Sequence, residues 1–372
     1  MRIDRIETVS ELEGLEHEWQ ALLDAGRPPQ LSMSYPFVLA SAATHQPASA
    51  WSIYLARDDG LLKAAAFGTR SSLAIGNRRI PVFQLGADVV TEILVDPALQ
   101  QEALSSLIDG IMDREKVPIV EFGRLTEPTF QALLRSVKRS GLRSTWNHAG
   151  YGYVWDATID RERMYQQLGH DRRAAIRRTG RRLFEKFQVE VQHLSSRSVP
   201  ENLAWFDRFV DLEASGWKGE QRTSIRHRPG SEAYFRLAVA AAARHGMMRW
   251  YALVAGGRAL AMDMGMQTGR VLWVPKTAYD EQYSRYSPGA ELVHQLHLAC
   301  IADPAIDRVN WISAAPWLDP WKPDRQQYYR LRIYGRGALG RTLYAVSRLR
   351  DALRRHVLAR GMDLENREHR FQ

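Results

Sequence analysis

The feature that most constrains this chain is an order of elements that occurs twice. Apolar runs "WSIYLARDD" (51–59), "LLKAAAFGTRS" (61–71) and "RRIPVFQLG" (78–86) read as consecutive strands separated by turn signals. The amphipathic stretch "DPALQQEALSSLIDGIMDRE" follows as a helix, then "PIVEFGRL" as a strand and "TFQALLRSVKRSG" as a helix ended by Gly141. Further on, "MMRWYALVAGG", "RALAMDMGMQTG" and "RVLWVPKTAYD" again give three strands, followed by a helix at 288–302 and the strand "RVNWIS". Helices are expected at Val9–Leu23, 161–186, 201–214 and 231–245. Strands, then a helix, then a strand in both halves predict two tandem α/β domains, each a mixed central sheet flanked by helices. The expected division is 1–148, 149–335 and a basic amphipathic segment at 336–372, with the boundary inside 146–152.

Composition narrows the class. A chain of 372 residues, 45% hydrophobic, can bury two cores. Its single cysteine, Cys300, excludes a disulfide framework and a thiolate metal site, and a reducing, cytoplasmic compartment fits. The start of the sequence has no secretory pattern, and nowhere do eighteen apolar residues run together. The net charge of +9 points to an anionic partner: nucleic acid, a phosphate-bearing cofactor or an acidic membrane surface. Arginines concentrate in "HDRRAAIRRTGRRLFEK" (170–186) and in 330–361. In the latter, Leu343, Val346, Leu349, Leu353 and Val357 recur at helical spacing beside a basic face. That pattern permits docking on anionic lipid at the inner face of a membrane, or packing on the protein's own body.

"YSPGAELVHQLHLA" places Ser287, Pro288 and Gly289 directly ahead of an apolar helical run. Serine suits the N-cap, proline the first helical position, and glycine lets a group approach the backbone. Such an end either holds a phosphate or simply starts a helix. His294 and His297 lie three apart on this helix. No third ligand has suitable spacing, so they read as core or surface histidines and no metal is expected.

With the halves laid out this way, "HDRRAAIRRTGRRL", "LEASGWKGE", "AYDEQYSRYSPGAELV" and "VNWISAAPWLDPWKPDRQQYYRL", in that order, resemble the GNAT acyltransferase superfamily. The branch is the double-GNAT one that includes FemABX and CelD-like proteins. The resemblance covers roughly 150–335 well and the first half loosely. It implies acyl-CoA as co-substrate, its pyrophosphate on the amides of Gly289, Ala290 and Glu291 beside Ser287. Val274 and Lys276 on the preceding strand would lie along the thioester and pantetheine. The superfamily signature begins with Gln or Arg and ends with Gly or Ala. Here Tyr286 and Glu291 stand at those positions, and Glu291 brings a carboxylate toward a pyrophosphate unless its side chain points away.

Acyl transfer needs a proton acceptor for the attacking group and a proton for the leaving thiolate. Asp263, a carboxylate inside the apolar "LAMDMGM", is the first candidate for general base and Asp280 the second; Tyr286 is the candidate acid. Trp217 and Lys218 of "GWKGE", with Lys322 of "WLDPWKPD", are the candidates for substrate binding. No serine elbow or Cys–His pairing is present in the pattern, so direct attack in a ternary complex is the simpler mechanism. The resulting expectation is an N-acyltransferase acting on a cell-envelope amine or hydroxyl, such as an amino sugar or a long-chain lipid amine. The alternatives are a FemABX-like transferase drawing on aminoacyl-tRNA, and an idle GNAT pair serving as a scaffold.

Overall fold

The computed structural model describes residues 1–25, 31–45, 50–85, 90 and 92–368; the side chains of 75 and 354–368 are outside the description. The first half runs β1 (Arg2–Ile6), α1 (Val9–Glu13), α2 (Glu16–Ala25), α3 (Tyr35–Thr44), β2 (Trp51–Asp58), β3 (Leu61–Ile75), β4 (Arg78–Leu85), β5 (Leu94–Val95), α4 (Gln100–Glu115), β6 (Ile119–Thr126), α5 (Glu127–Arg139) and β7 (Arg143–Asp156). The second runs α6 (Arg161–Gln167), α7 (His170–Phe187), β8 (Glu190–Leu194), α8 (Val199–Ser215), α9 (Trp217–Glu220), α10 (Ser231–Arg244), β9 (Met248–Ala255), β10 (Arg258–Thr268), β11 (Val271–Tyr279), α11 (Pro288–Ala302), β12 (Arg308–Asn310), β13 (Asp324–Tyr334) and α12 (Ala338–Glu368).

Two expected helices are broken. The first is interrupted at Gly14, where a capping box of Thr8 and Glu11 has already fixed a short α1. The helix expected at 161–186 divides at Leu168–Gly169, after which Gly169 starts α7.

All strands join one sheet in the order β1-β2-β3-β4-β6-β13-β7-β12-β11-β10-β9-β8, with β5 added on β3. No linker divides the halves. The boundary expected near residue 148 falls inside β7, which pairs with β13 over Arg143–Val154 and with β12 over Val154–Asp156. β13 comes late in the chain yet inserts between β6 and β7, completing the sheet of the first half. In "DRQQYYRLRIY" its alternating apolar residues bury Leu331 and Ile333 beneath α4 and α5, with Phe83, Leu107, Phe122 and Leu133. Helices α8 and α10 cover the opposite face of the second half, and Phe37 and Ala40 of α3 enter that same core. A third core lies under α7 and α11 and contains Trp155, Trp311, Trp321 and Cys300. Each large side chain buried there contributes about 1.5–3 kcal/mol relative to exposure.

The region around β11 sets up the site. Trp273 pairs with Met266 and Lys276 with Met264, so Val274 and Pro275 together oppose Gly265 in a β-bulge. Gly265 fits because a Cβ there would collide with the carbonyl oxygen of Arg249. On its other side β11 pairs with β12 only at Val271–Trp273. From Val274 to Tyr279 that edge carries no ladder, and the sheet opens into a cleft that leads to the start of α11.

Candidate active site

A cavity of about 480 Å³ occupies the opening. Thr277, Ala278 and Tyr279 of β11 form one wall, and Ser287 to Ala290 at the start of α11 form the next. Arg172 of α7, Glu213 of α8, Gly216, Trp217 and Lys218 around α9, and Trp317 and Pro320 of the turn at 316–321 complete it. Trp217 and Trp317, 44% and 45% exposed, stand at the mouth.

The helix start is open for a local reason. Ser287 is the N-cap by position, but it adopts a left-handed backbone (φ 52°) and its hydroxyl makes no capping bond. Pro288 has no N–H. The amide of Glu291 donates to the Ser287 carbonyl at 3.1 Å, which removes it from the expected anion cradle. The amides of Gly289 and Ala290 have no partner among the described residues. Glu291 points away from the cavity. Its carboxylate accepts from Gln295 Nε2 (2.7 Å), contacts His294 Nδ1 (3.2 Å), and lies so close to Gly180 of α7 that a Cβ there would be 2.7 Å from Oε2. The expected repulsion of a pyrophosphate therefore does not arise.

Two cations face this end. Lys218 Nζ donates to Glu213 Oε1 (2.9 Å) and to the Thr277 carbonyl (2.8 Å), tying α9 to the part of β11 whose outer edge is free. The other Glu213 oxygen accepts from the Ile225 amide at 2.7 Å. The Arg172 guanidinium lies 4.9 Å from the ring centre of Trp321, and its Nε has no partner. Burial holds its pKa below the usual arginine range. At the rim, Glu281 Oε1 accepts from the Trp217 amide at 2.7 Å.

Of the residues singled out in the sequence, Trp217, Lys218, Ser287, Gly289 and Ala290 line the cavity. Other candidates lie elsewhere. Asp263 is fully buried behind Thr277, its cross-strand partner, with the Thr277 hydroxyl and the charge of Lys218 as the groups that oppose its burial, and it does not line the cavity. Burial pushes its pKa up to about 7, so the perturbation expected of a base is present without the access a base needs. Asp280 caps the turn at 281–286 through the Gln282 amide (3.0 Å) and pairs with Arg258 (2.6 Å), a structural role. The Tyr286 hydroxyl accepts from Lys186 Nζ at 2.9 Å, which holds the phenol below its usual pKa, but the ring packs on Phe187 of α7 outside the cavity. Val274 is buried under α11 because the bulge turns it inward. Lys276 lies on the opposite face, 5.2 Å from the Phe235 ring centre, its pKa lowered by burial. Lys322 is exposed beyond the turn that supplies Trp317 and Pro320.

Arg172, Glu213, Glu281, Trp317 and Pro320 went unselected in the sequence. The usable signal for Arg172 was its position in the first turn of an arginine-rich helix, where only one face can turn inward. Neither His294 nor His297 is arranged for a metal. His294 contacts Tyr165 Oη at 2.7 Å, and His297 stacks on Trp155 at 3.8 Å with burial lowering its pKa to about 3. Among the described residues no cluster of three His, Cys, Asp or Glu side chains could hold a metal ion.

Residues 170–322 match the family described as Acetyltransferase (GNAT) domain. This segment is a GNAT domain. The matched span begins at the first residue of α7 and ends at Lys322, so it encloses every wall of the cavity, including Arg172 and the turn at 316–321. A comparison with curated proteins found no match. Among solved structures, the chain is similar to FemX, with a TM-score of 0.61 at 12% identity over 93% of this chain and 99% of that one. It is also similar to L-PGS from Bacillus licheniformis, at TM-score 0.54 and 12% identity over 90% of this chain and 96% of that one. The C-terminal domain of a putative lysylphosphatidylglycerol synthetase from Agrobacterium fabrum gives 0.54 at 11% identity, over 91% and 97%. At these identities the likeness is one of fold, and it extends over both halves, with the GNAT domain in the second.

Proposed function

We propose that this GNAT-type acyltransferase uses acyl-CoA to acylate the amine of a cell-envelope acceptor, an amino sugar or a long-chain lipid amine, by direct attack. The observation that carries the reading is the meeting of two unfilled backbone surfaces in one cavity: the open amides of Gly289 and Ala290, and the edge of β11 beyond Trp273. The amides and the dipole of α11 suit a pyrophosphate, with Arg172 as the adjacent cation. The free edge of β11 suits the amide-bearing pantetheine arm and the thioester carbonyl. The acceptor nitrogen attacks the carbonyl carbon, the C–N bond forms as the C–S bond breaks, and the nitrogen's proton leaves to a base while the thiolate takes one up. Glu281 is the base in this reading, since one carboxylate oxygen is held by the Trp217 amide and the other has no hydrogen-bond partner among the described residues. Asp263 then keeps a positioning role behind Thr277.

A second reading, donation from aminoacyl-tRNA, is favoured by the exposed Arg177, Arg178, Arg181 and Arg182 of α7, the helix that carries Arg172 to the cavity. The deciding experiment is thermal stabilisation and calorimetric titration with CoA, acetyl-CoA and palmitoyl-CoA, followed by turnover after ribonuclease treatment. Binding that grows with chain length, with ribonuclease-resistant turnover, supports acyl-CoA and a lipid product. No CoA binding with ribonuclease-sensitive turnover establishes the tRNA donor. No binding and no turnover leave the idle scaffold.

A further inference from the structure

Helix α12 packs with one stripe and leaves another uncovered. Gly340, Leu343 and Tyr344 turn to the sheet, where Leu343, 7% exposed, joins Ile80, Val82, Ile119 and Tyr334. The Tyr334 hydroxyl donates to Ser347 at 2.8 Å and fixes the rotation of the helix. At about 3.6 residues per turn, Leu339, Val346, Leu349 and Leu353 then lie together on a second arc, about a third of a turn away. They are 51%, 49%, 63% and 57% exposed. Ala338, Thr342, Ala345 and Ala352 fill the same arc, so it carries no charge. Arg341 and Arg348 border it on one side and Arg350 on the other, all exposed. Asp351, the one acidic residue between 338 and 353, falls on the arc of Gly340 and Tyr344.

We propose that this face of α12 rests on an anionic lipid surface, its leucines in the headgroup boundary and its bordering guanidiniums on lipid phosphates. An uncharged apolar stripe flanked on both sides by arginine is complementary to such a surface. A second copy of the chain is a poorer partner, because pairing through this stripe would bring arginine against arginine with no bordering acid to match it. Nor does the helix cross the bilayer, for no helix among the described residues is long and apolar enough. The proposal does not depend on which donor the GNAT domain uses.

The test is co-sedimentation of the full-length protein with phosphatidylcholine vesicles, with and without phosphatidylglycerol, alongside its size by light scattering. The protein pellets with the anionic vesicles only, and less so as salt is raised. The triple variant V346E/L349E/L353E, altered only at exposed positions, keeps the wild-type melting temperature and partitions about a hundredfold more weakly. Equal pelleting of the variant, no pelleting of the wild type, or a wild-type dimer that the triple variant converts to monomer would overturn the proposal.

Discussion

The two halves use the same elements to opposite ends. In the first, β4 is paired in parallel with β6 through its last residue, Leu85. In the second, β11 leaves β12 after Trp273 and runs on to Tyr279 paired with β10 alone, its other edge free. Ahead of the helix that follows, the first half places Asp96, whose carboxylate accepts from the Ala98 amide (3.0 Å) and pairs with Lys63 (3.0 Å). The second half leaves the amides of Gly289 and Ala290 open beside Arg172. An anion site already filled by the chain's own carboxylate holds structure together. One left open can take a ligand. Under the function proposed above the second half does the chemistry and the first supports it, and β13, though late in the chain, completes the sheet of the first half.

The sharpest test of that division is Glu281→Gln, which retains an acceptor for the Trp217 amide but removes the charge. It should lower kcat by about 10²- to 10³-fold with donor affinity unchanged. Wild-type turnover would remove Glu281 from the mechanism, whereas Glu92→Gln in the first half should leave kcat as it was.

Next in size is a pH effect, because each half buries one carboxylate whose pKa is raised to about 7 by burial. Glu92 accepts hydrogen bonds from Thr126 (2.7 Å) and Thr129 (2.5 Å), while Asp263 has only Thr277 and the charge of Lys218 to oppose its burial. Between the ordinary carboxylate pKa and 7 the folded state holds a proton that the unfolded chain has released, so stability falls as pH rises through that window. Asp263→Asn should flatten this fall and raise the melting temperature at pH 8. Glu92→Gln should do so less, because the ordinary pKa of a glutamate lies closer to 7 than that of an aspartate. Parallel melting curves of wild type and Asp263→Asn from pH 4 to 8 would show that Asp263 is ionised in the folded protein.

Ala290→Pro removes one open amide within the first helical turn, where proline is tolerated. Donor affinity measured by calorimetry should drop about tenfold with little change in melting temperature. The smallest effect is the counterpart in the first half: Asp96→Ala should cost about 1 kcal/mol of stability through the lost cap and leave donor affinity untouched. If Asp96→Ala instead weakened the donor, the two helix starts would not differ in the way described.

Much of the fold was legible from period and punctuation. The strands at 51–85 and 247–280 announce themselves by apolar runs between turn signals, and "SPG" marks the start of α11 correctly. β1, β8 and β13 were not foreseen, since short or half-polar strands carry little signal until a neighbour pairs with them. Trp217, Lys218 and Gly289, which line the cavity, sit in compact local motifs that stand out in the sequence. Asp263 was misjudged because an apolar strand context shows that a carboxylate is buried but not whether it meets a cavity. Arg172, Glu213 and Glu281 come from three separate elements and converge only in space.

By itself the sequence determined the class of fold, the open-ended helix with a prolyl first residue and a glycine behind it, and the basic character of α7 and α12. Those properties depend on neighbours three or four residues apart, and periodicity records them. Tertiary structure alone decided that β13 would cross back into the first half, that β11 would bulge against β10 at Val274–Pro275 and leave β12 after Trp273, and that Glu291 would turn toward Gly180 rather than toward a ligand. Each is a choice between packing partners far apart in the chain, settled by volume and hydrogen-bond satisfaction once the sheet has formed.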